Sequence, residues 1–379
     1  MREHASGYTA EPPVDLTRTT STAPLPTATS KQAPIVGPAL PMQHVVGEPA
    51  RWGWRGRTRR FTGGLIALKP GRVEARHRQA EAAARQPLGG PRLVMVAGLE
   101  GGAGVTTTTL MLAHAFASLR GGAVVAWDNR ESHGTLGLRA EVGVPDTHVG
   151  HLLDAFDRLI GPTGTAGDLG HYLRSQPSRA EVLAANTDPA RPAQIAAADA
   201  GRIGSVLSRY FPLAIAATGT NLYAEAWQWT AAAAGHLVVP IRLEPDVVQA
   251  AAFMLDALAR RRPDLVAGAV TVVSPSSAPA PAPVRAQMLA YFATRTAIVV
   301  EVPADPQLAG GRQIAFARIS EASRRAWTVA AAAVADRLAA VPARRPDQIT
   351  ALRPPPDPSG RARQQSADHG TPAAEEAGP

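Results

Sequence analysis

Between Leu99 and Leu112 the chain reads LEGGAGVTTTTLML. Gly101, Gly102 and Gly104 give a backbone free to curl so that successive N–H groups converge, the geometry that cradles phosphate oxygens, and a helix starting there adds its positive end. Thr106 places a hydroxyl where a magnesium ion held by such phosphates takes a ligand. The candidate nucleotide-binding set is Gly101, Gly102, Ala103, Gly104, Val105, Thr106 and Thr107, with Thr106 as the metal ligand where magnesium is bound at all. The plainer reading is a close-packed strand-to-helix turn, its threonines serving as an N-cap and as core residues. A dinucleotide fingerprint is a third reading. It finds Gly102, Gly104 and an acidic Asp128 but has Thr107 in place of its last glycine.

A second chemistry-bearing stretch is RWGWRGRTRRFTGGLIALKPG, Arg51 to Gly71. Arg51, Arg55, Arg57, Arg59 and Arg60 alternate with Trp52, Trp54 and Phe61, and Leu65, Ile66 and Leu68 follow. Arginines among aromatics suit phosphate contact with stacking on nucleic acid, and equally an anchor whose apolar side chains dip below anionic lipid headgroups. An arm packing its aromatics back on the protein is the third possibility. His148 and His151 have the spacing of a metal pair but no evident third ligand, and read as flanking a helix start.

With no cysteine, disulfides, thiolate nucleophiles and cysteine metal sites are excluded. A formal charge of +8 favours anionic partners. Nearly all of the positive charge is arginine, for lysine occurs only at Lys31 and Lys69. The N-terminus lacks the apolar run of a signal peptide, and Val329 to Ala340 is too short to span a bilayer and is interrupted by Asp336 and Arg337. The expected location is cytoplasmic, with the inner membrane face or the nucleoid as possible sites of attachment.

The elements that must position the loop follow from periodicity. RLVMVAG, GAVVAWD, FPLAIAATG, GHLVVPIRL, GAVTVVS and TAIVVEVP read as strands. Helical patterns cover Thr106–Arg120, His148–Ile160, Pro189–Tyr210, Asn221–Ala234, Pro245–Arg261 and Gln313–Ala340. This alternation predicts an α/β fold with a mostly parallel, doubly wound sheet. The expected organisation is a disordered leader over 1–50, a basic arm over 51–90, one domain over 91–340 and a disordered Pro-rich tail over 341–379.

EGGAGVTTTT resembles the deviant phosphate loop KGGxGKTTT of the MinD and ParA ATPases, and the likeness runs from about Pro91 to Leu338. VVAWDNRESHGTLG is similar to that family's switch segment, and LAIAATGTN to its third strand and turn. VTVVSPSS and VEVPADPQLAGGRQI resemble its base-contacting end, where Ser274 stands at a position often taken by asparagine and Pro303 to Asp305 match a Pro-x-Asp. The overall character is similar to a divergent actinobacterial branch associated with chromosome partitioning and type VII secretion.

The resemblance implies a P-loop NTPase fold, ATP with Mg2+ as cofactors, a protein partner of a positioning or secretion system, and a homodimer. The family's phosphate-loop lysine falls on Val105, its cross-dimer lysine on Glu100, its water-orienting aspartate on Arg130 and its third-strand acid on Ala217, while Asp128 is retained. A carboxylate about 4 Å from a phosphate charge, at an effective dielectric of about 20, is repelled by about 4 kcal/mol per unit charge. The expectation is weak nucleotide binding, poor or no hydrolysis, and dimerisation that does not require ATP. A working ATPase using an arginine or a partner's cation, and a nucleic-acid or membrane adaptor in which the loop is irrelevant, are the alternatives. Arg130, as a loop arginine, is expected to be solvated.

Overall fold

The computed structural model describes residues 49–342 apart from 64, 67, 132, 133, 142–146, 187–194, 277 and 279. The expected leader, save its last two residues, and all but the first two residues of the expected tail lie outside the described residues.

Two helices come first, α1 (Gly53–Phe61) and α2 (Arg72–Arg85). They lead to β1 (Arg92–Val96), α3 (Val105–Arg120), β2 (Val124–Asn129) and four short helices: α4 (Leu136–Arg139), α5 (Val149–Asp154), α6 (Phe156–Ile160) and α7 (Ala166–Gly170). Next are β3 (Arg174–Ser175), β4 (Ala180–Leu183), α8 (Ala197–Tyr210), β5 (Leu213–Thr218), α9 (Glu225–Ala233) and β6 (His236–Arg242). The chain then forms α10 (Pro245–Ala259), α11 (Pro263–Ala267), β7 (Val270–Ser274), α12 (Ala282–Arg295), β8 (Ile298–Glu301) and α13 (Glu321–Ala339).

The strands form one eight-stranded sheet in the order β3-β4-β2-β5-β1-β6-β7-β8. Every pair is parallel except β3 with β4. Successive residues of β1 point to opposite faces. Val94 and Val96 join Ala84 of α2, Phe116 of α3 and Trp327 of α13 in one core layer. On the opposite face, Leu93 packs with Trp127 of β2, Ile203 of α8 and Trp229 of α9, and Met95 packs with Met254 of α10 and Phe292 of α12. Burial on both faces is why these strands read as continuous apolar runs rather than as alternation.

All six expected strands are present. The added pair β3 and β4 is short, and Glu181 interrupts its apolar pattern. The stretch His148–Ile160 is broken at Ala155 into α5 and α6. The last helical stretch opens with a 3-10 turn, Phe316–Arg318, and α13 starts only after Ser320, whose hydroxyl accepts from Ser323 N at 3.2 Å. Neither α2 nor α12 was expected. The first packs an alanine-rich face on the alanines of α13, and the second begins beyond a proline-rich connection. Among the described residues, no helix is long and apolar enough to cross a membrane.

Two buried histidines make this core acid-sensitive. Burial pushes His114 down to about 4, and burial with the neighbouring Arg337 charge pushes His236 down to about 3. Both stay neutral in the folded state while the unfolded chain takes up protons near pH 6.5, so the stability they contribute is full above that pH. It is lost as pH falls toward the folded values. Asp128, whose carboxyl burial raises to about 6, acts in the opposite sense between pH 4 and 6. Comparison of parent with variant therefore isolates a histidine: His236→Leu should flatten stability against pH by about 1.4 kcal/mol per pH unit between pH 6 and 4. Denaturant melts at half-unit pH steps check this.

Candidate nucleotide-binding site

The chain leaves β1 to build one half of the sheet and returns to build the other from β6 onward, so the loop after β1 lies at the switch point where open parallel sheets bind ligands. Gly102 at φ +82° and Gly104 at φ +101° hold left-handed conformations that side chains resist. Gly104 is the N-cap of α3. The threonines are therefore not the cap. Thr108 and Thr109 are fully buried, and the Thr109 hydroxyl donates to Val105 O at 2.9 Å.

Val105 is only 6% exposed. Its Cγ2 would lie 3.3 Å from any Cβ at Gly98, and the residue packs in the core cluster beneath the loop. Above it is a cavity of about 630 Å3 lined by Glu100 to Thr107, Arg130, Thr135, Arg139, Arg242, Ser274 and Asp305, among others. The structure thus gathers the candidate loop residues with Arg130 and with part of the expected base-contacting end.

Arg130 is not a solvated side chain. It is 23% exposed, donates through Nη2 to Thr106 Oγ1 at 3.3 Å, and sets Nε 3.8 Å from Asp128 Oδ1. The same Thr106 hydroxyl lies 2.8 Å from Thr135 Oγ1. Asp128 is fully buried and accepts from Leu136 N at 3.0 Å. A Cβ at Gly134 would fall 1.9 Å from Asp128 Oδ2, so only glycine fits over the carboxylate. Burial raises this carboxyl to about 6, against the lowering effects of Arg130 and the Leu136 N–H.

Residues that sequence reasoning missed complete the wall. Arg139 of α4 donates to Thr107 Oγ1, to Leu308 O at 3.0 Å and to Arg312 O at 3.2 Å. Arg242, the last residue of β6, pairs with Glu244 at 2.9 Å and brings Nη2 within 3.0 Å of where a Gly102 Cβ would be. A charge ending an apolar parallel strand at the ligand edge was a usable signal for Arg242 and for Arg130 just after β2. Nothing local marked Arg139. Ala217, at the third-strand acid position, is fully buried, but the Glu131 carboxylate lies over Gly219 just beyond it. Asp305 serves backbone: burial raises its pKa, but N–H groups of Ser320 at 2.8 Å and Gln307 at 3.0 Å hold it below the usual range.

As a test of fit, the loop's conformation suits phosphate, but magnesium would have to share Thr106 with a guanidinium that also engages Asp128.

The arm's arginines do not line this cavity. The backbone N–H groups of Arg51 and Trp52 both donate to buried Glu74, at 2.7 and 3.3 Å. The Trp52 ring lies 5.0 Å from His77 and 4.1 Å beneath the Arg325 guanidinium. Arg55 donates to Lys69 O at 3.2 Å, while Arg51, Arg59 and Arg60 line a separate open depression and Arg57 is exposed. His148 caps α5, its Nδ1 accepting from Gly150 N at 3.1 Å.

No protein family description matches the chain, and no curated protein matches it. Among solved structures it is similar to a ParA family ATPase from Chlorobium tepidum, with 12% identity and a TM-score of 0.54 over 64% of this chain and 98% of that one. It is also similar to the cell division ATPase MinD of Pyrococcus furiosus, with 18% identity and a TM-score of 0.45 over 63% and 96% of the two chains. A cobyrinic acid a,c-diamide synthase from Mycobacterium smegmatis with bound ADP and magnesium has 18% identity and a TM-score of 0.43 over 64% and 92%. With the strand order and the loop after β1, the first of these likenesses shows the fold: a mostly parallel α/β sheet of the P-loop NTPase type.

Proposed function

We propose that the chain is a MinD/ParA-like P-loop protein that does not hydrolyse ATP and acts by binding partners in partitioning, positioning or secretion-associated assembly. The observation that carries this reading is the burial of Val105 at the position of the loop's lysine. Phosphoryl transfer is mostly electrostatic stabilisation of the moving charge, and this loop supplies no mobile cation for it. Glu100 at the rim adds repulsion, and Arg130 stands in place of a group that would orient water. A lysine restored at 105 has to enter a packed site, so Val105→Lys should give no turnover and lower stability by roughly 1–3 kcal/mol. Phosphate release by the purified protein, against a mock purification, checks the first point and thermal melts the second. Turnover that vanishes in Arg130→Ala would establish the rival reading, an ATPase with an arginine as its cation. Dimerisation, where it occurs, should not respond to ATP in sedimentation velocity.

The arm supports docking on an anionic membrane surface. Trp54 and Phe61 lie seven residues apart on one face of α1, 67% and 97% exposed, and exposed Leu65 and Ile66 follow. Exposed Arg57 and Arg60 belong to the same short segment, each worth about 1 kcal/mol near anionic lipid. The other end of the arm, at Trp52, packs on the protein, so the exposed half projects from a fixed base. Cosedimentation with phosphatidylglycerol vesicles should fall at least tenfold in Trp54→Ser/Phe61→Ser while the melting temperature holds. Unchanged vesicle binding would show that these aromatics are not the anchor, and DNA binding whose steep salt dependence vanishes with the five arginines would reassign the arm to the nucleoid.

A further inference from the structure

A magnesium site beside a phosphate loop uses a threonine hydroxyl and a nearby carboxylate, because a hard cation takes oxygen ligands. Here both groups face a single guanidinium. Arg130 donates to Thr106 Oγ1 at 3.3 Å and stands 3.8 Å from Asp128 Oδ1. The arrangement is held rather than incidental: Asp128 is fixed by the Leu136 N–H beneath Gly134, and Thr106 is fixed by Thr135 at 2.8 Å. The Arg130 Nε is buried and makes no hydrogen bond.

The same cavity receives Arg242, anchored by Glu244 and pressed against Gly102, and Arg139, bound to Thr107. Three guanidinium groups, from the ends of β2 and β6 and from α4, therefore surround the curl of loop N–H groups. Guanidinium forks match phosphate oxygens two at a time and stay charged at every working pH. Two carboxylates also line the cavity. Asp305 is satisfied by backbone N–H groups, and Glu100 is exposed, where solvent screens it. A volume of about 630 Å3 is of the size that holds a nucleotide-sized ligand.

We propose that this cavity binds the phosphate chain of a nucleoside di- or triphosphate without a divalent metal, Arg130 standing in for the magnesium ion and Arg242 for the absent lysine. The proposal rests on the loop being the ligand site of a non-hydrolysing protein, but its test is binding, whereas that reading is tested by turnover. Calorimetric titration of the full chain with ATP, ADP and inorganic tripolyphosphate is run in EDTA and again in excess Mg2+. ATP and ADP should bind in EDTA, and Mg2+ should leave the affinity unchanged or weaken it. Tripolyphosphate binding as tightly as ATP would identify the phosphate chain as the whole ligand.

Arg130→Ala should lose at least tenfold in EDTA and recover in Mg2+, because Thr106 and Asp128 are then free to hold the metal. Arg130→Lys should retain more of the EDTA affinity than Arg130→Ala does. Glu100→Gln should tighten binding several-fold, and melting temperatures of all variants report whether the fold is kept. Binding that requires Mg2+ and disappears in EDTA overturns the proposal and leaves the non-hydrolysing reading standing. Absence of binding in both conditions overturns it as well, as does an Arg130→Ala variant that folds and binds like the parent.

Discussion

The ligand edge of this sheet is organised around one buried carboxylate. Asp128, next to last in β2, has no exposure to water, and a charge in that position needs partners. It has a backbone N–H from Leu136 and a guanidinium from Arg130. Each partner constrains its neighbourhood. Leu136 reaches the carboxylate only because Gly134 has no side chain to collide with it, and Leu136 then begins α4 and seats Leu136 itself in the core. From the end of α4, Arg139 bridges to Thr107 on α3 and to the carbonyls of Leu308 and Arg312. The segment after β2, the start of α3 and the connection before α13 are thus tied through one short network.

The fold was legible because the central strands β1, β2, β5 and β6 are buried on both faces and helices such as α8 and α10 are long enough for their apolar pattern to be read. The parts that escaped are those whose stability comes from distant partners. The interior of α2, with its arginines and glutamates, carries little apolar signal, and its hold on the protein is alanine packing against α13, far along the chain. The pair β3 and β4 amounts to six residues, too few for a period to emerge. In the site, the glycines and the valine at 105 were visible, since both are local. That Val105 packs in the core was not, because its packing depends on Gly98 across the loop. Arg130 and Arg139 follow β2 closely, but Arg242 ends β6 more than a hundred residues later and meets them only through the strand order β2-β5-β1-β6.

The arm illustrates the same distinction in another register. Its composition left nucleic acid, membrane and self-packing open, and the structure divides the segment physically. Buried Glu74 takes the N–H groups of Arg51 and Trp52, and Trp52 sits between His77 and the Arg325 guanidinium. Beyond that hinge point the aromatics are exposed. A carboxylate that is 3% exposed and accepts two backbone N–H groups and the Arg78 guanidinium acts as an internal cap, fixing where α1 departs from the body. Self-packing and outward presentation are therefore properties of different residues in one stretch.

A guanidinium tethered at Arg130 differs from a metal ion in what it allows. Magnesium arrives with its ligand and leaves with it, so a loop that depends on the metal is ordered in one ligand state and released in another. A covalently attached cation does neither. The contacts that position Leu136, Arg139 and Thr106 are all made by the protein itself, and none of them needs a phosphate to complete it. Arginine also cannot open its coordination shell to a water molecule, as a metal can when it generates a nucleophile. Under the proposal, a fixed cation in place of an exchangeable one favours holding a ligand over cycling it, and the buried valine at 105 acts in the same direction. Glu100, Val105 and Arg130, which stand apart along the sequence, meet in three dimensions around a single loop.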